Sequence, residues 1–346
     1  MENPFRLDFG AKPKLYIPRK DGEETIINTF LSKEPSTHLY MIIGARGMGK
    51  TVMMTSISQK IDEMDKWIHI DLSSDNTMVD FISELEAKCK SKVPKINISV
   101  NIKTIQIEFS SKEAQYSTIK VEINKILEKL KKNNIRVLIT IDEAVNSASM
   151  REFATYFQQC LRKEYPIFAI MTGLFKNIRA LENNKSLTFL RRAEKINLEP
   201  LDSYRVASEY KDTLKMKFDD AIEAAELIDG YSYAFQMLGY LLFKEEKMKI
   251  DSEICSELKY ALFEKSYDKI WEELSINEQN ICIEISKAEQ EAEASKIKAA
   301  LKIDDNNFST YRSTLIKGGV LLATTARGKL KFALPFFKEY ILSTIR

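Results

Sequence analysis

Eight consecutive residues, Gly44-Ala45-Arg46-Gly47-Met48-Gly49-Lys50-Thr51, have the types and spacing to hold a chain of phosphates. The spacing is that of a Walker A loop. Its glycines let backbone N–H groups curl around phosphate oxygens at a helix N-terminus, where the dipole favours an anion. Lys50 is placed to reach the β and γ phosphates as a point charge, and the Thr51 hydroxyl to ligate Mg²⁺. Three of the chain's eleven glycines fall in these eight residues. The apolar run 39–43 precedes them and a helical pattern over 52–61, opening with Val52, follows. Strand before and helix after are the context the motif requires, so residues 44–52 are expected to cradle a nucleoside triphosphate.

A second group closes the apolar, β-branched stretch 135–141 with Asp142-Glu143. Charge is unwelcome inside a sheet, so a carboxylate pair at a strand end calls for a purpose. After a phosphate loop the economical reading is Walker B, with Asp142 holding Mg²⁺ through its water shell and Glu143 orienting or deprotonating the attacking water. The plain alternative is a helix N-cap by Asp142 with dipole stabilisation by Glu143. Thr172 ends the next apolar run, 166–171. Its hydroxyl is expected to meet the γ phosphate or the attacking water, unless Thr172 is only a turn former. Arg191 and Arg192 stand before a last short strand, 194–198. Either is a candidate arginine finger for a neighbouring subunit, and either is equally well a solvated helix-end arginine.

These groups need a scaffold, and strands alternating with helices supply one, a parallel sheet covered on both faces. Expected strands are 39–43, 67–71, 135–141, 166–171 and 194–198, with a hairpin inserted near 95–110, where Ile96, Ile98, Val100 and Ile102 alternate with polar residues. Pro200 ends regular pairing. Residues 203–265 carry only helical signals. Helices at 278–289, 295–301 and 307–317 then precede two strands, 320–323 and 329–333, the order of a winged helix.

With 346 residues and an apolar fraction of 44%, two or three compact units are expected. A net charge of +2 excludes a global polycation, so any nucleic-acid surface has to be local. Cys89, Cys160, Cys255 and Cys282 form no CxxC pair, which fits reduced thiols, and with His38 and His69 as the only histidines a zinc site is not expected. The start of the chain lacks the apolar core of a signal peptide, and no run approaches the roughly eighteen apolar residues of a membrane span. A soluble cytoplasmic protein with no membrane partner is the expectation.

Asn-Pro-Phe near the start, Pro-Arg before the first helix, GxRGxGKT, a strand ending in Asp-Glu, Gly-Leu after the fourth strand, Phe-Leu-Arg-Arg-Ala, Gly-Tyr and Gln-Met-Leu-Gly occur in this order along the chain. In these the chain resembles AAA+ P-loop ATPases of the archaeal and bacterial type related to origin-recognition initiators and STAND NTPases. The resemblance implies an α/β fold: a P-loop AAA+ parallel-sheet core over 1–200, an all-α lid over 201–266 and a C-terminal winged-helix domain over 267–346. It implies that Tyr16, Ile17, Pro18 and Arg19 lie against the adenine, that Thr172 is sensor 1, and that Arg191 or Arg192 is the finger. Gly230 and Tyr231 match the lid motif, but Ser232 replaces the usual proline and no arginine follows before Lys244, a departure from the pattern that supplies sensor 2.

In a winged helix, Ser309, Thr310, Arg312, Ser313 and Lys317 lie on the recognition helix, and Arg327, Lys329 and Lys331 on the wing, where they would straddle DNA phosphates. Winged helices also serve as packing or oligomerisation modules, and a lysine-rich wing can be a solvated edge. The leading expectation is an ATPase using ATP and Mg²⁺ to drive conformational change or assembly, as an oligomer and with double-stranded DNA as a partner. A nucleotide-dependent signalling or defence switch, turning over slowly and binding protein through its winged helix, is the alternative. A small-molecule kinase would need an acceptor pocket that the sequence does not suggest.

Overall fold

A computed structural model describes residues 2–8, 12–75, 77–94, 112–289, 291–322 and 328–345. The hairpin expected near 95–110 lies outside them. The chain divides into two compact units, one of residues 19–43 and 53–196, the other of residues 1–18, 44–52 and 197–346.

The first unit holds a five-stranded sheet in the order β2-β3-β4-β1-β5, formed by β1 (Leu39–Ile43), β2 (Trp67–Leu72), β3 (Arg136–Ile141), β4 (Ile167–Gly173) and β5 (Glu194–Asn197). β1 pairs in parallel with β4, β4 with β3, and β3 with β2. Every residue of β1 and β4 is buried, as is β3 from Val137 onward, which is why these strands read as unbroken apolar runs. The register sets Ile43 beside Gly173 and Ile141 beside Met171. The C-terminal ends of β1, β3 and β4 therefore lie on one sheet edge, where open α/β sheets bind ligands.

Helices α1 (Lys20–Leu31), α2 (Lys50–Asp62), α3 (Thr77–Lys92), α4 (Lys112–Lys132), α5 (Ala148–Arg162) and α6 (Phe175–Glu182) accompany the strands. Phe81, Leu85, Ile123, Leu127, Phe153 and Phe157 from α3, α4 and α5 share one core with Ile70, Ile139 and Met171 of the sheet. Each such side chain contributes on the order of 1.5–3 kcal/mol. α1 is fastened to α2 by the buried Glu23 carboxylate, which takes hydrogen bonds from Lys60 Nζ at 2.7 Å and Ser56 Oγ at 3.2 Å. A 3₁₀ segment, Lys185–Arg192, leads into β5.

The second unit is helical: α7 (Ser203–Leu214), α8 (Phe218–Leu227), α9 (Ser232–Lys244), α10 (Ser252–Leu262), a single π turn (Phe263–Tyr267), α11 (Asp268–Glu273), α12 (Ile276–Ser286), α13 (Ala294–Leu301), α14 (Asp305–Lys317) and α15 (Phe337–Thr344). Asp202, Asp251, Ser275 and Asp304 cap four of these helices, Ser275 with Glu278 as a full capping box. Phe5 packs on α9 where only glycine fits: a Cβ on Gly239 would lie 2.2 Å from the ring. Asn3 Nδ2 donates to Tyr240 O at 3.2 Å, and the Arg6 N–H to Gln236 Oε1 at 3.0 Å.

The three expected helices of the C-terminal segment appear as α12, α13 and α14. Its two expected strands meet antiparallel, the Leu322 N–H donating to Lys331 O and the Ala333 N–H to Val320 O, both at 2.9 Å, but little of them is regular strand. β7 covers only Lys329–Leu330, and it pairs antiparallel with a two-residue strand β6 (Ala292–Glu293) that the sequence did not announce. Leu321 and Phe332 meet in an isolated bridge. So short a pair leaves too little alternation to read from sequence.

Candidate active site

Strand β1 runs directly into the phosphate loop and the loop into α2. Gly47 (φ 72°) and Gly49 (φ 88°) both adopt the left-handed conformation that excludes ordinary side chains. At Gly47 space forbids one as well, since a Cβ would lie 2.2 Å from Tyr231 Oη. Arg46 O accepts from Tyr231 Oη at 3.0 Å, and Met48 O accepts from Ser232 Oγ at 3.1 Å. In a planar trans peptide C=O and N–H point opposite ways, so tethering these carbonyls fixes the N–H groups of Gly47 and Gly49 toward the other side of the loop. The loop thus forms an amide nest at the N-terminus of α2, a shape that suits an anion. Lys50 is buried, its ammonium donating to Gly44 O at 3.1 Å and Ala45 O at 2.9 Å, which folds its charge back over the loop. Thr51 and Val52 continue the first turn of α2.

Among the adenine candidates, Ile17 is buried, Tyr16 lies under Lys12 Nζ at 5.3 Å, and Pro18 O accepts from Arg205 Nη1 at 3.1 Å. Arg19 stands at the N-cap of α1 without a side-chain cap bond. Gly230 (φ 70°) packs against Pro200 and Leu201, and its carbonyl accepts from the Leu201 N–H at 2.8 Å. Tyr231 is buried, and its hydroxyl also bonds Ser266 Oγ at 2.6 Å. That places Tyr231 at the carbonyl side of the loop, a contact the Gly-Tyr pair signalled only as a neighbourhood.

In the sheet unit, Asp142 follows β3 and Thr172 is the sixth residue of β4. The Thr172 hydroxyl donates to Asp142 Oδ1 and accepts from the Glu143 N–H at 3.1 Å. The same N–H also reaches Asp142 Oδ1 at 3.1 Å, and Thr172 O accepts from the Ala144 N–H at 2.8 Å. Glu143 is exposed and left-handed (φ 50°), a conformation that costs a non-glycine residue on the order of 1–2 kcal/mol. Three hydrogen bonds from one threonine peptide and hydroxyl hold that turn, aiming one carboxylate and presenting the other. Asp142 is no helix N-cap, because α5 begins at Ala148 and is capped by Ser147, whose Oγ accepts from the Met150 N–H at 3.0 Å. Arg191 is tied down, Nε to Glu182 O and Nη2 to Asn183 Oδ1, both at 3.2 Å. Arg192 is exposed, and its side chain makes no hydrogen bond or ion pair among the described residues.

Of the residues expected to meet DNA, Ser309 and Lys317 are exposed on α14. Arg312 is half-buried, with an Nε that finds no hydrogen-bond partner among the described residues. Lys329 pairs with Glu293 at 3.4 Å and Lys331 with Asp229 at 3.9 Å. Arg327 lies outside the described residues.

A family model described as an AAA domain matches residues 35–182, which span the phosphate loop, the carboxylate pair and Thr172. The chain carries an AAA-type P-loop ATPase domain. Beyond this AAA domain, a domain of unknown function (DUF8462) matches residues 264–341. No curated protein matches the sequence. Among solved structures, a Walker-type ATPase of Pyrococcus abyssi is similar at 16% identity and a TM-score of 0.67, covering 95% of this chain and 96% of that one. The ORC2 protein of Aeropyrum pernix, solved in ADPNP and ADP complexes, is similar at 13% and 0.58, covering 98% and 96%. Cdc6p of Pyrobaculum aerophilum is similar at 13% and 0.50, covering 98% of each chain. At these identities the likeness is one of fold, and it joins the AAA domain to a helical region and a C-terminal segment in the order found in the Orc/Cdc6 proteins. Among the described residues no helix is long and apolar enough to cross a membrane.

Proposed function

We propose that this chain is an ATPase that binds ATP with Mg²⁺ and hydrolyses it to ADP and phosphate, using the cycle to rearrange its helical and C-terminal segments. The observation that carries this reading is the phosphate loop. Two left-handed glycines, two outward-tethered carbonyls and a buried lysine together shape an amide nest that suits an anion. Mg²⁺, held by Thr51 and Asp142, would neutralise charge on the β and γ phosphates. The donor set fits it: a hydroxyl at a helix N-terminus and a carboxylate fixed by a threonine.

Lys50 binds the β and γ oxygens. Glu143, presented by its left-handed turn, orients the attacking water and takes its proton as the bond to the γ phosphorus forms and the bond to the ADP oxygen breaks. Thr172 acts through Asp142 and the Glu143 amide, because its single proton is already given to the carboxylate. Arg192, unencumbered where Arg191 is tied, is the better finger for a neighbouring copy in an oligomer. We divide the working parts as core 1–200, lid 201–266 and winged helix 267–346, and place the protein in the cytoplasm, where its four free thiols stay reduced.

The test is uptake and turnover of a fluorescent ATP analogue with magnesium. Lys50→Ala should abolish binding. Glu143→Gln should keep binding while turnover falls roughly 10²–10⁴-fold. A wild-type protein that took up no nucleotide would end the proposal.

A second reading, a slow nucleotide-dependent switch whose winged helix contacts protein, is favoured by one observation. Gly319, which follows α14, lies against Ala45 of the phosphate loop, where a Cβ would approach the Ala45 Cβ to 3.0 Å, while Lys329 and Lys331 are already paired with acids. In the double-stranded DNA reading, Ser309 and Lys317 make the contact, and DNA stimulates turnover with steep salt dependence. Turnover indifferent to DNA and salt supports the switch.

A further inference from the structure

Arg46 is held at two points by one short stretch of chain. Its carbonyl accepts from Tyr231 Oη, which bonds Ser266 Oγ in the π turn; with the tyrosine proton given to Arg46 O, Ser266 donates to Tyr231. Its guanidinium meets Glu273 Oε1 at the end of α11, with both Nε and Nη2 at 2.7 Å. Ser266 and Glu273 lie in the first ten residues of the segment matched by the domain of unknown function. A π turn leaves a surplus residue in a helix and is common where a helix does more than pack.

The other side of this stretch is locked to the C-terminal helix. Tyr267 Oη donates to Pro335 O at 2.6 Å, and its ring packs edge-on to Phe337 at 5.1 Å and Tyr340 at 5.8 Å. Tyr340 Oη donates to Asp268 Oδ1 at 2.8 Å. Residues 263–273 thus have two fixed sides, one toward the phosphate loop through Ser266 and Glu273 and one toward α15 through Tyr267 and Asp268, and the rings of Tyr231 and Tyr267 lie 6.3 Å apart.

We propose that residues 263–273 are a latch that sets the shape of the phosphate loop from its carbonyl side and reports nucleotide occupancy to the C-terminal segment. The proposal rests on the ATPase reading and adds its regulation. The latched loop is the one whose Gly47 amide faces the phosphates, so nucleotide and latch stabilise each other, and by linkage each strengthens the other by the same factor. Tyr231, Ser266 and Glu273 are positioning residues, since they touch the loop and not the nucleotide.

The experiment measures affinity for a fluorescent ADP and limited proteolysis with and without nucleotide, on the full chain. Tyr231→Phe and Glu273→Gln should each weaken ADP about three- to tenfold, the worth of one or two net hydrogen bonds. Each should also shrink the nucleotide-dependent protection of bonds in 263–275. The reversed pair Arg46→Glu with Glu273→Arg should recover the affinity that Arg46→Glu alone loses. If Tyr231→Phe melts early, Glu273→Gln on the partly exposed pair still decides. Lys50→Ala separates the two claims. Binding lost in Lys50→Ala but untouched, with full protection, in Tyr231→Phe and Glu273→Gln overturns the latch and leaves the ATPase. Wild-type protein that binds no ADP overturns both.

Discussion

Replacing Thr172 by valine removes one oxygen and nothing else of size, so its effect can be worked from the hydrogen bonds in hand. Thr172 is wholly buried and gives its proton to the Asp142 carboxylate, a charge-assisted bond worth about 1.5–3 kcal/mol. The Glu143 N–H loses Thr172 Oγ1 but keeps Asp142 Oδ1 at 3.1 Å, so no buried donor is orphaned. The added methyl regains about 0.8 kcal/mol of burial. The net loss is about 1–2 kcal/mol, a fall in Tm of roughly 2–8 °C for the sheet unit's transition. Turnover should fall further, roughly 10- to 100-fold, because the left-handed turn that presents Glu143 loses its anchor and small misplacements of a catalytic group are costly. Thermal melts by circular dichroism and steady-state phosphate release test both effects, with Thr172→Ser, which keeps the hydroxyl, retaining most of the turnover. A valine variant that melts and turns over like the wild type would refute the assignment of Thr172 as the brace of the carboxylate pair.

Arg192→Ala should lower turnover in an oligomer while leaving single-site nucleotide affinity intact, whereas Arg191→Ala should chiefly loosen the 182–192 turn; equal turnover losses in the two would remove the finger from Arg192. Stability should also respond to acid. Burial lowers the His69 pKa below its ordinary 6.5, although Asp71 opposes the shift. Thr140 gives its proton to Asp71 at 2.6 Å, so the His69 ring nitrogen 2.8 Å away must donate to it, in the neutral Nε2–H form. Below pH 6.5 the unfolded chain takes up a proton that the folded chain does not, so stability is full above that pH and declines as the pH falls through it. His69→Gln, which keeps an N–H donor and cannot charge, should flatten the denaturant midpoint between pH 6.5 and 5; an unchanged slope would contradict the buried neutral ring.

The phosphate loop and the strand ends were legible because their signals are local. Three glycines and a lysine at fixed spacing, and Asp-Glu after an apolar run, need no knowledge of distant residues. What escaped depends on pairing across the chain. That the Thr172 proton goes to Asp142 follows from the β3–β4 register, and that Tyr231 grips Arg46 O follows from a contact across 185 residues. Glu143 carries no mark of its positive φ, since glutamate has no special taste for it. The helix start at Ala148 is legible from the apolar spacing, whereas the choice of Ser147 and not Asp142 as its N-cap shows only in the hydrogen bond to the Met150 N–H. The two-residue β6 is set by its partner β7 and not by its own composition.

The seat of Phe5 against Gly239 has a consequence for how the protein is made. Residues 3 and 6 leave the ribosome 237 and 230 positions ahead of the backbone and amide groups that hold them. Until α9 exists, an aromatic ring destined for full enclosure has nowhere to go. The helical unit therefore closes late, after the sheet has been synthesised, and a nascent chain stalled before Gly239 would display Phe5 to chaperones that bind aromatic side chains.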